Sequence, residues 1–509
     1  MSEPRGTFCL VLHSHLPWVA HHGAWPVGEE WLHQAWAGSY APLRRLLEDL
    51  AREGRRDVLT LGVTPVLAAM LDDPYSLRQH HTWLADAQLR AIGMAAGATR
   101  DPVRRDEAAR QFALSARALE EFERHWSRGG SAALRPLIDA QVSELLGGPL
   151  THSFTPLLPN ELAEATLRAG LDDAALRLGT RPAGIWAPEC AYAPGLEKLY
   201  AAAGVSHVVV DGPTLLHVGA TTDRPWRLGE SDVIAFGRDL DVTYRVWSPR
   251  RGYPGDPAYL DFHSYDHVWG FRTRRVTGRD VDPHDKAAYE PELARDAVAR
   301  HVADFVDVVV ARLDAIRDER HGQPGLVVAA YDTELFGHWW HEGVDFLGGV
   351  LRALPEAGVR VSTLRSALDD VDEVAVHPEP SSWGSGKDWQ VWNGAPVADI
   401  ADTQAWLASA ALACLEETHP RTHRSRAHDQ LMHDTLLALS SDWAFMVTKD
   451  SAAQYARSRF DGHVSDASAL IDALHRGDVD AAERAARDHS RHDAPFGHLD
   501  ARRFLSSRP

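Results

Sequence analysis

The sequence predicts an α/β fold in which parallel strands joined by crossover helices wrap into a TIM-like barrel, with a helical domain after it. Three observations predict this. Short apolar runs alternate with longer helical patterns over about the first 370 residues. Residues able to do chemistry follow several of those runs directly. Beyond about residue 396 the pattern is helical almost throughout.

The strand runs lie at 8–12, 58–61, 184–186, 207–210, 233–236, 326–330 and 359–362. Helical patterns lie between them at 41–52, 84–96, 106–126, 161–178 and 294–313. His13 and His15 follow the first run, Glu189 follows 184–186, Asp211 follows 207–210 and Asp332 follows 326–330. A barrel of parallel strands puts all of these on one rim. An open doubly wound sheet would also place them at strand ends, but around one switch point, and here they come from many strands. No Gly-x-Gly-x-x-Gly or Walker-type loop favours a nucleotide fold.

Segment 212–290 differs. It is rich in Pro, Gly, Arg and aromatics, with Arg238, Tyr244, Trp247, Tyr253 and Trp269, and it reads as a long irregular insertion. Turn formers with Trp383, Trp389 and Trp392 fill 378–396. Helical patterns follow at 403–417, 428–440, 452–460 and 467–475. The expected division is a catalytic barrel over 1–376, with 212–290 inserted over the active site. A helical domain over 377–509 then contributes to the substrate groove. The polar tail 488–509 is expected to be frayed or loosely docked.

Composition narrows the function classes. The 509 residues carry a net charge of −19, which argues against a nucleic-acid surface or a polybasic membrane anchor. No stretch approaches the ~18 consecutive apolar residues of a membrane span, and no secretory signal is visible, so a cytoplasmic location is expected. Cys9, Cys190 and Cys414 are far apart and lack CxxC spacing, which excludes a disulfide scaffold or a cysteine-built zinc site. Tryptophan, at 17, outnumbers tyrosine (11) and phenylalanine (14). Its flat apolar faces suit the C–H faces of sugar rings, although many of these side chains must also be core.

Four motifs carry chemistry. His13-Ser-His15-Leu-Pro-Trp18 closes the first strand. Such a pair can bind a metal, or hold sugar hydroxyls and tune a carboxylate. Thr151-His152-Ser153 follows an apolar run at 145–150. Trp186-Ala-Pro-Glu189-Cys190-Ala-Tyr192 sets a carboxylate between aromatics, where helix-capping is the alternative role. Tyr331-Asp332-Thr-Glu334-Leu-Phe-Gly-His338-Trp339-Trp340 ends a strand in two carboxylates. Two acids on one rim among Trp and His suggest glycoside chemistry, in which a retaining mechanism uses one as nucleophile and one as acid/base.

On these motifs, with Ser382-Trp383-Gly384, Trp392-Asn393 and Ser441-Asp442-Trp443, the chain resembles glycoside hydrolase family 57, and within it the α-1,4-glucan branching enzymes. The match runs over nearly the whole chain. The resemblance implies an incomplete (β/α)7 barrel with an inserted region and a C-terminal helical domain. It implies Glu189 as nucleophile and Asp332 as acid/base, with His13, His15 and His152 lining the donor subsite and no metal or other cofactor. Trp18, Trp186, Trp269, His338, Trp339, Trp383, Trp392 and Trp443 are expected around the glucan. Asp442 and Gly278 are expected as further contacts, and Tyr244 as the tip of a loop at 237–248.

The sequence departs from the family pattern at Ser451, where relatives often carry glutamine, and at Leu260, where they often carry arginine. The expected activity is double-displacement transfer of an α-1,4-glucan segment to a 6-hydroxyl. The same two carboxylates could instead serve an α-amylase or a 4-α-glucanotransferase. A metal-dependent barrel hydrolase built on His13 and His15 is the reading from a different class. The expected partner is an α-glucan such as amylose or glycogen, with no nucleic acid and no membrane, and the sequence leaves the oligomeric state open.

Overall fold

A computed structural model describes residues 4–505 apart from 26, 99–100, 249–251, 279 and 371. One sheet dominates it. Its strands are β1 (Thr7–Ser14), β2 (Leu59–Val63), β3 (Ser143–Gly147), β4 (Gly184–Trp186), β5 (His207–Val210), β6 (Trp226–Leu228), β7 (Ile234–Gly237), β8 (Leu326–Asp332), β9 (Arg360–Ser362) and β10 (Asp372–Val376). The order β7-β5-β4-β3-β2-β1-β8 is parallel throughout, seven strands of an incomplete barrel. A backbone hydrogen bond from the Asp239 N–H to Val328 O (2.8 Å) spans the gap between the ends of β7 and β8. β6 runs antiparallel to β7 and carries β10 on its other edge, while β9 pairs with the start of β1.

The parallel strands are buried along almost their whole length, as expected where crossover helices cover the sheet. Local chemistry explains the helix starts. Thr64, Asp73, Asp101 and Asp239 each accept a backbone N–H in the first turn, and at the first three a proline follows at the first helical position. The helix Asn160–Leu178 ends where Gly179 turns left-handed (φ 77°). Within that helix a Cβ on Gly170 would sit 2.1 Å from Gly148 O, so only glycine lets the helix press on the loop that carries His152.

Several expectations change. β3, β6 and β10 were not anticipated as strands, and the run at 359–362 becomes β9, which lies off the main path. The 212–290 segment is not wholly irregular, since it contains β6, β7 and a helix, Leu240–Trp247. The expected loop at 237–248 is therefore that helix, capped by Asp239, and Tyr244 lies on its exposed face rather than at a loop tip.

After β10 the chain turns helical, with Ala398–Thr418, Arg426–Ala438, Ser441–Thr448, Ala453–His475 and Val479–His489. The patterns at 452–460 and 467–475 are one continuous helix across Asp461-Gly462, where open space lies beside the glycine. Arg426–Ala438 is buried almost all round, polar residues included, and its Asp434 accepts from Gln430 (2.7 Å) and is paired with His489 (2.9 Å). The tail up to 505 is docked, not frayed. Phe496, Leu499, Ala501 and Phe504 are buried, and the Ala501 N–H donates to Asp429. Residues 506–509 lie outside the described residues. Tryptophan divides as its chemistry allows: Trp18, Trp36, Trp126, Trp186, Trp340, Trp392 and Trp443 are buried, and Trp25, Trp247, Trp339 and Trp406 are exposed. No helix among the described residues is long and apolar enough to cross a membrane.

Candidate active site

The C-terminal ends of β1, β3, β4 and β8 converge, and the helix Ser441–Thr448 closes on them. In the register of β1 and β8, His13 stands opposite Asp332. The His13 ring lies flat on Trp186 (centroids 4.5 Å apart, planes at 11°), and the His15 ring stacks on His152 at 3.7 Å. His13 Nε2 is 3.1 Å from His152 Nε2.

Glu189 sits in a short turn after β4 with φ 62°, and Cys190 follows with φ 48°. Two consecutive non-glycine residues in the left-handed region are strained, and such strain gathers at functional sites. The surroundings hold the turn. The Glu189 carbonyl accepts from the Trp383 N–H (2.9 Å). Its side-chain Oε2 accepts from the Trp383 indole N–H (2.8 Å), and its Oε1 accepts from the Ser441 hydroxyl (2.8 Å). Burial pushes this carboxyl up to about 7, against the pull of both donors. Neighbouring Cys190 is buried and its thiol is pushed well up by desolvation, so it is no nucleophile.

Asp332 is partly open to solvent at the end of β8. Burial within the cleft lifts it to about 6, with His15 and Arg238 opposing. His15 and Asp442 act on both Asp332 and Glu189, so the two acids share one electrostatic neighbourhood. Glu334 lies deeper. Its Oε1 accepts from the Tyr40 hydroxyl and from the His15 backbone N–H (3.2 Å), and burial together with Asp332 raises it to about 8. The loop behind it depends on Gly337 (φ 109°), where a Cβ would meet Gly38 O at 1.8 Å. That close approach sets the loop against the turn that carries Tyr40.

The helical region supplies the remaining wall. His15 Nε2–H donates to Asp442 Oδ2 (2.9 Å) and its Nδ1 meets the Thr64 hydroxyl (3.0 Å). Burial alone would lower His15, but the charge and hydrogen bond of Asp442 outweigh it and raise it. Burial works against Asp442 too, yet His15 and the Ser440 hydroxyl (2.6 Å) hold it down at about 2. His15, His152 and Asp442 bring one ring nitrogen or carboxylate oxygen each within 4.8 Å. All three are engaged in hydrogen bonds, and His13 faces His152 instead, so His13 and His15 do not converge on a shared ligand position.

The ion pair makes a pH-dependent prediction for Asp442→Asn. A raised His15 contributes fully below its ordinary value of 6.5 and loses its share as pH climbs through the raised value. A lowered Asp442 contributes fully above its ordinary 3.8 and loses its share as pH falls toward about 2. The variant's stability deficit is expected to be largest between those ordinary values, at about 3 kcal/mol for a buried pair broken on one side. It should shrink towards pH 3 and again as pH climbs through the raised His15 value, as read by chemical denaturation across the range.

Of the residues expected at the site, the structure brings together Glu189, Asp332, His13, His15, His152, Trp383 and Asp442. Trp186 is there as the sealed plate beneath His13 rather than a sugar platform. Trp392 and Trp443 are corrected to packing roles. Trp392 stacks on Phe154 at 4.7 Å, and Trp443 is fully buried with its N–H on Leu437 O. Trp18 is likewise buried, donating to His492 O. Trp269 packs against Gly93 and Gly97 of the helix Pro74–Gly97, away from the carboxyls. Gly278 lies in the irregular part of the insertion, against Val281. His338 lines a separate cavity of about 610 Å³ walled also by Gln34, Arg90, Arg272 and Tyr289. Trp339 is exposed and tilts against Trp247 at 5.9 Å. Sequence reasoning missed Ser441, Tyr40, Thr64 and Arg238 as parts of the site. Ser441 alone had a signal, its place inside the Ser-Asp-Trp motif.

With this geometry established, comparison with known proteins gives consistent findings. Residues 9–379 match the family model described as "Glycosyl hydrolase family 57", and residues 406–504 match "1,4-alpha-glucan branching enzyme, C-terminal". The chain is 54% identical over 524 residues to a "Probable 1,4-alpha-glucan branching enzyme" of Mycobacterium tuberculosis, covering 99% of both chains. It superposes on the crystal structure of a family 57 branching enzyme from Thermococcus kodakaraensis with a TM-score of 0.93 at 28% identity, covering 99% of this chain and 97% of that one. The α-amylase AmyC of Thermotoga maritima gives a TM-score of 0.85 at 26% identity, covering 99% of this chain and 100% of the other.

Proposed function

This chain belongs to glycosyl hydrolase family 57, and from that premise we propose that it is a retaining 1,4-α-glucan branching enzyme. The carrying observation is the pair Glu189 and Asp332 in one neighbourhood, differently held. Glu189 has a donor on each oxygen, which suits an ionised nucleophile, while Asp332 stands partly open at the rim, where it can reach a leaving oxygen.

In the proposed cycle Glu189 attacks the anomeric carbon of an α-1,4-linked glucose while Asp332 protonates the departing 4-oxygen. A covalent glucosyl–enzyme forms and the reducing-end fragment leaves. Asp332, now a carboxylate, takes the proton from the 6-hydroxyl of a second glucan as that oxygen displaces Glu189. The product is an α-1,6 branch with net retention. Water could discharge the same intermediate, so branching requires an acceptor glucan to be held in preference. The exposed, adjacent Trp339 and Trp247 offer aromatic faces for that chain beyond Asp332. The barrel, 1–376, would then hold both acids, and the helical unit, 377–509, would complete the donor wall through Ser441 and Asp442. The proposed location is the cytoplasm.

A second reading, α-amylase, is kept because AmyC shares the fold. Incubation with amylose separates the two. Branching predicts a rising α-1,6 signal by proton NMR with few new reducing ends, unchanged after dialysis against a chelator. Reducing ends accumulating without α-1,6 signal would overturn it in favour of hydrolysis. Chain redistribution with neither change would point to 4-α-glucanotransfer, and activity lost to the chelator would revive the metal-dependent reading.

A further inference from the structure

The Ser441 hydroxyl lies between two partners on other elements. It is 2.8 Å from Glu189 Oε1 and 3.0 Å from His152 Nδ1. Backbone contacts fix its position independently of these side-chain bonds. The Ser441 backbone N–H donates to His152 O (3.0 Å), and Ser440 forms a bridge with Ser153. From His152 the contact continues through Nε2 to His13 Nε2, 3.1 Å away. Four groups thus stand in line, His13, His152, Ser441 and Glu189, and each link holds one proton.

The end of the line decides which way the protons point. His13 Nδ1 is sealed from solvent and has no hydrogen-bond partner among the described residues. Suppose the line ran outward from a protonated Glu189. The carboxyl would donate to Ser441, Ser441 to His152 Nδ1, and His152 Nε2–H to His13 Nε2. The His13 proton would then sit on Nδ1, a buried N–H with no acceptor, which is among the costliest and rarest states in protein interiors. Run the other way, His13 Nε2–H donates to His152 Nε2, His152 Nδ1–H donates to Ser441 Oγ, and Ser441 O–H donates to Glu189. The orphan is then only a bare lone pair. Burial supports neutral rings here, since both His13 and His152 are driven well below their ordinary value.

We propose that Ser441 is a positioning residue for the nucleophile, ending a one-way relay from His13 through His152 that donates into Glu189 and keeps it a carboxylate. The helical unit therefore controls the charge state of the barrel's nucleophile. The inference rests on Glu189 being that nucleophile. The other charged or titratable groups acting on it are Asp442, beside Ser441, and His15, just after β1. Neither of them donates to Oε1 in place of Ser441.

The test is the pH dependence of kcat/KM for amylose branching, with Glu189→Gln as the blank. Losing a hydrogen bond to the ionised form raises the pH at which Glu189 takes up a proton. Ser441→Ala should therefore lose about tenfold in kcat/KM at and below the peak and progressively less above it, which moves the alkaline limb upward by about one pH unit. Ser441→Thr, which keeps the hydroxyl, should restore the limb. A loss in Ser441→Ala that is the same at every pH, with the alkaline limb unmoved, overturns the proposal, because a merely structural role lowers activity evenly with pH. A measurement on the unaltered protein stands beside it. Nitrogen-15 histidine spectra should show His152 as the neutral Nδ1–H tautomer, and an Nε2–H tautomer would overturn the relay even if no variant folds. If the Glu189→Gln blank keeps turning over, the nucleophile assignment itself has failed, a result distinct from either of these.

Discussion

Glu189→Gln is expected to abolish branching and any hydrolysis together, by about 10⁴-fold or more, without unfolding the protein. The amide has the shape of the carboxylate, and its carbonyl oxygen can still accept from one of the two donors, Trp383 or Ser441. It cannot form a glycosyl ester, so no intermediate exists for either sugar or water to discharge. The strained backbone at φ 62° is unchanged by the substitution, and the buried position no longer holds a charge. The melting temperature should therefore stay the same or rise slightly. The measurement is α-1,6 linkage formation and reducing-end release from amylose on one sample, with a thermal melt on the same protein. Near-native turnover of either kind would refute the assigned nucleophile.

Asp332→Asn should cost about 10²- to 10⁴-fold on amylose, where the 4-oxygen must be protonated to leave. On an α-maltosyl fluoride the loss of the first step should be far smaller, because fluoride departs without a proton. A loss of equal size on both donors would mean that Asp332 positions the substrate and does not transfer the proton. The pH profile gives a further check. Burial lifts Asp332 to about 6 and Glu189 to about 7, so the free enzyme's kcat/KM should peak between those values. Because Glu189 lies above Asp332, the competent form, Glu189 ionised with Asp332 protonated, is a minority species even at the peak. It gives way to the doubly protonated form below about 6 and to the doubly ionised form above about 7. Removing Asp332 should abolish the alkaline limb and leave a single acidic limb at the value of Glu189, about 7.

The motif residues after β1, β4 and β8 were legible because a parallel strand announces itself as an apolar run, and the residue that leaves the run lands on the C-terminal rim. β3 was harder to see. Its five residues include Ser143, Glu144 and Gly147, and Glu144 is half-buried, 2.8 Å from buried His207, a pairing between strands that no local pattern reveals. β6 and β10 are short and partly polar, and they exist as strands only through pairing, β6 with β7 and β10, and β10 with β6. The tail after 488 looks soluble by composition, yet scattered Phe496, Leu499 and Phe504 find a groove, which is a tertiary event.

The tryptophans show the limit most clearly. Their number pointed to sugar faces, but a Trp three residues before Glu189 can be a platform or a plate under a histidine, and Trp186 is the latter. Trp392 and Trp443 sit in the right motifs and face inward. Burial is a property of what packs opposite, and opposing residues such as Phe154 under Trp392 and His13 on Trp186 lie far away in the chain.

By itself the sequence determined much of the alternation of strands and helices and the rim on which Glu189 and Asp332 stand, because both are set by short-range pattern and residue type. Only the tertiary structure decided what each acid feels. The donors on Glu189 come from Trp383 and Ser441, the counter-charge to His15 comes from Asp442, and the direction of the relay turns on one buried nitrogen of His13. Charge state depends on distance and desolvation in three dimensions, and neither is written in the spacing of residues along a chain.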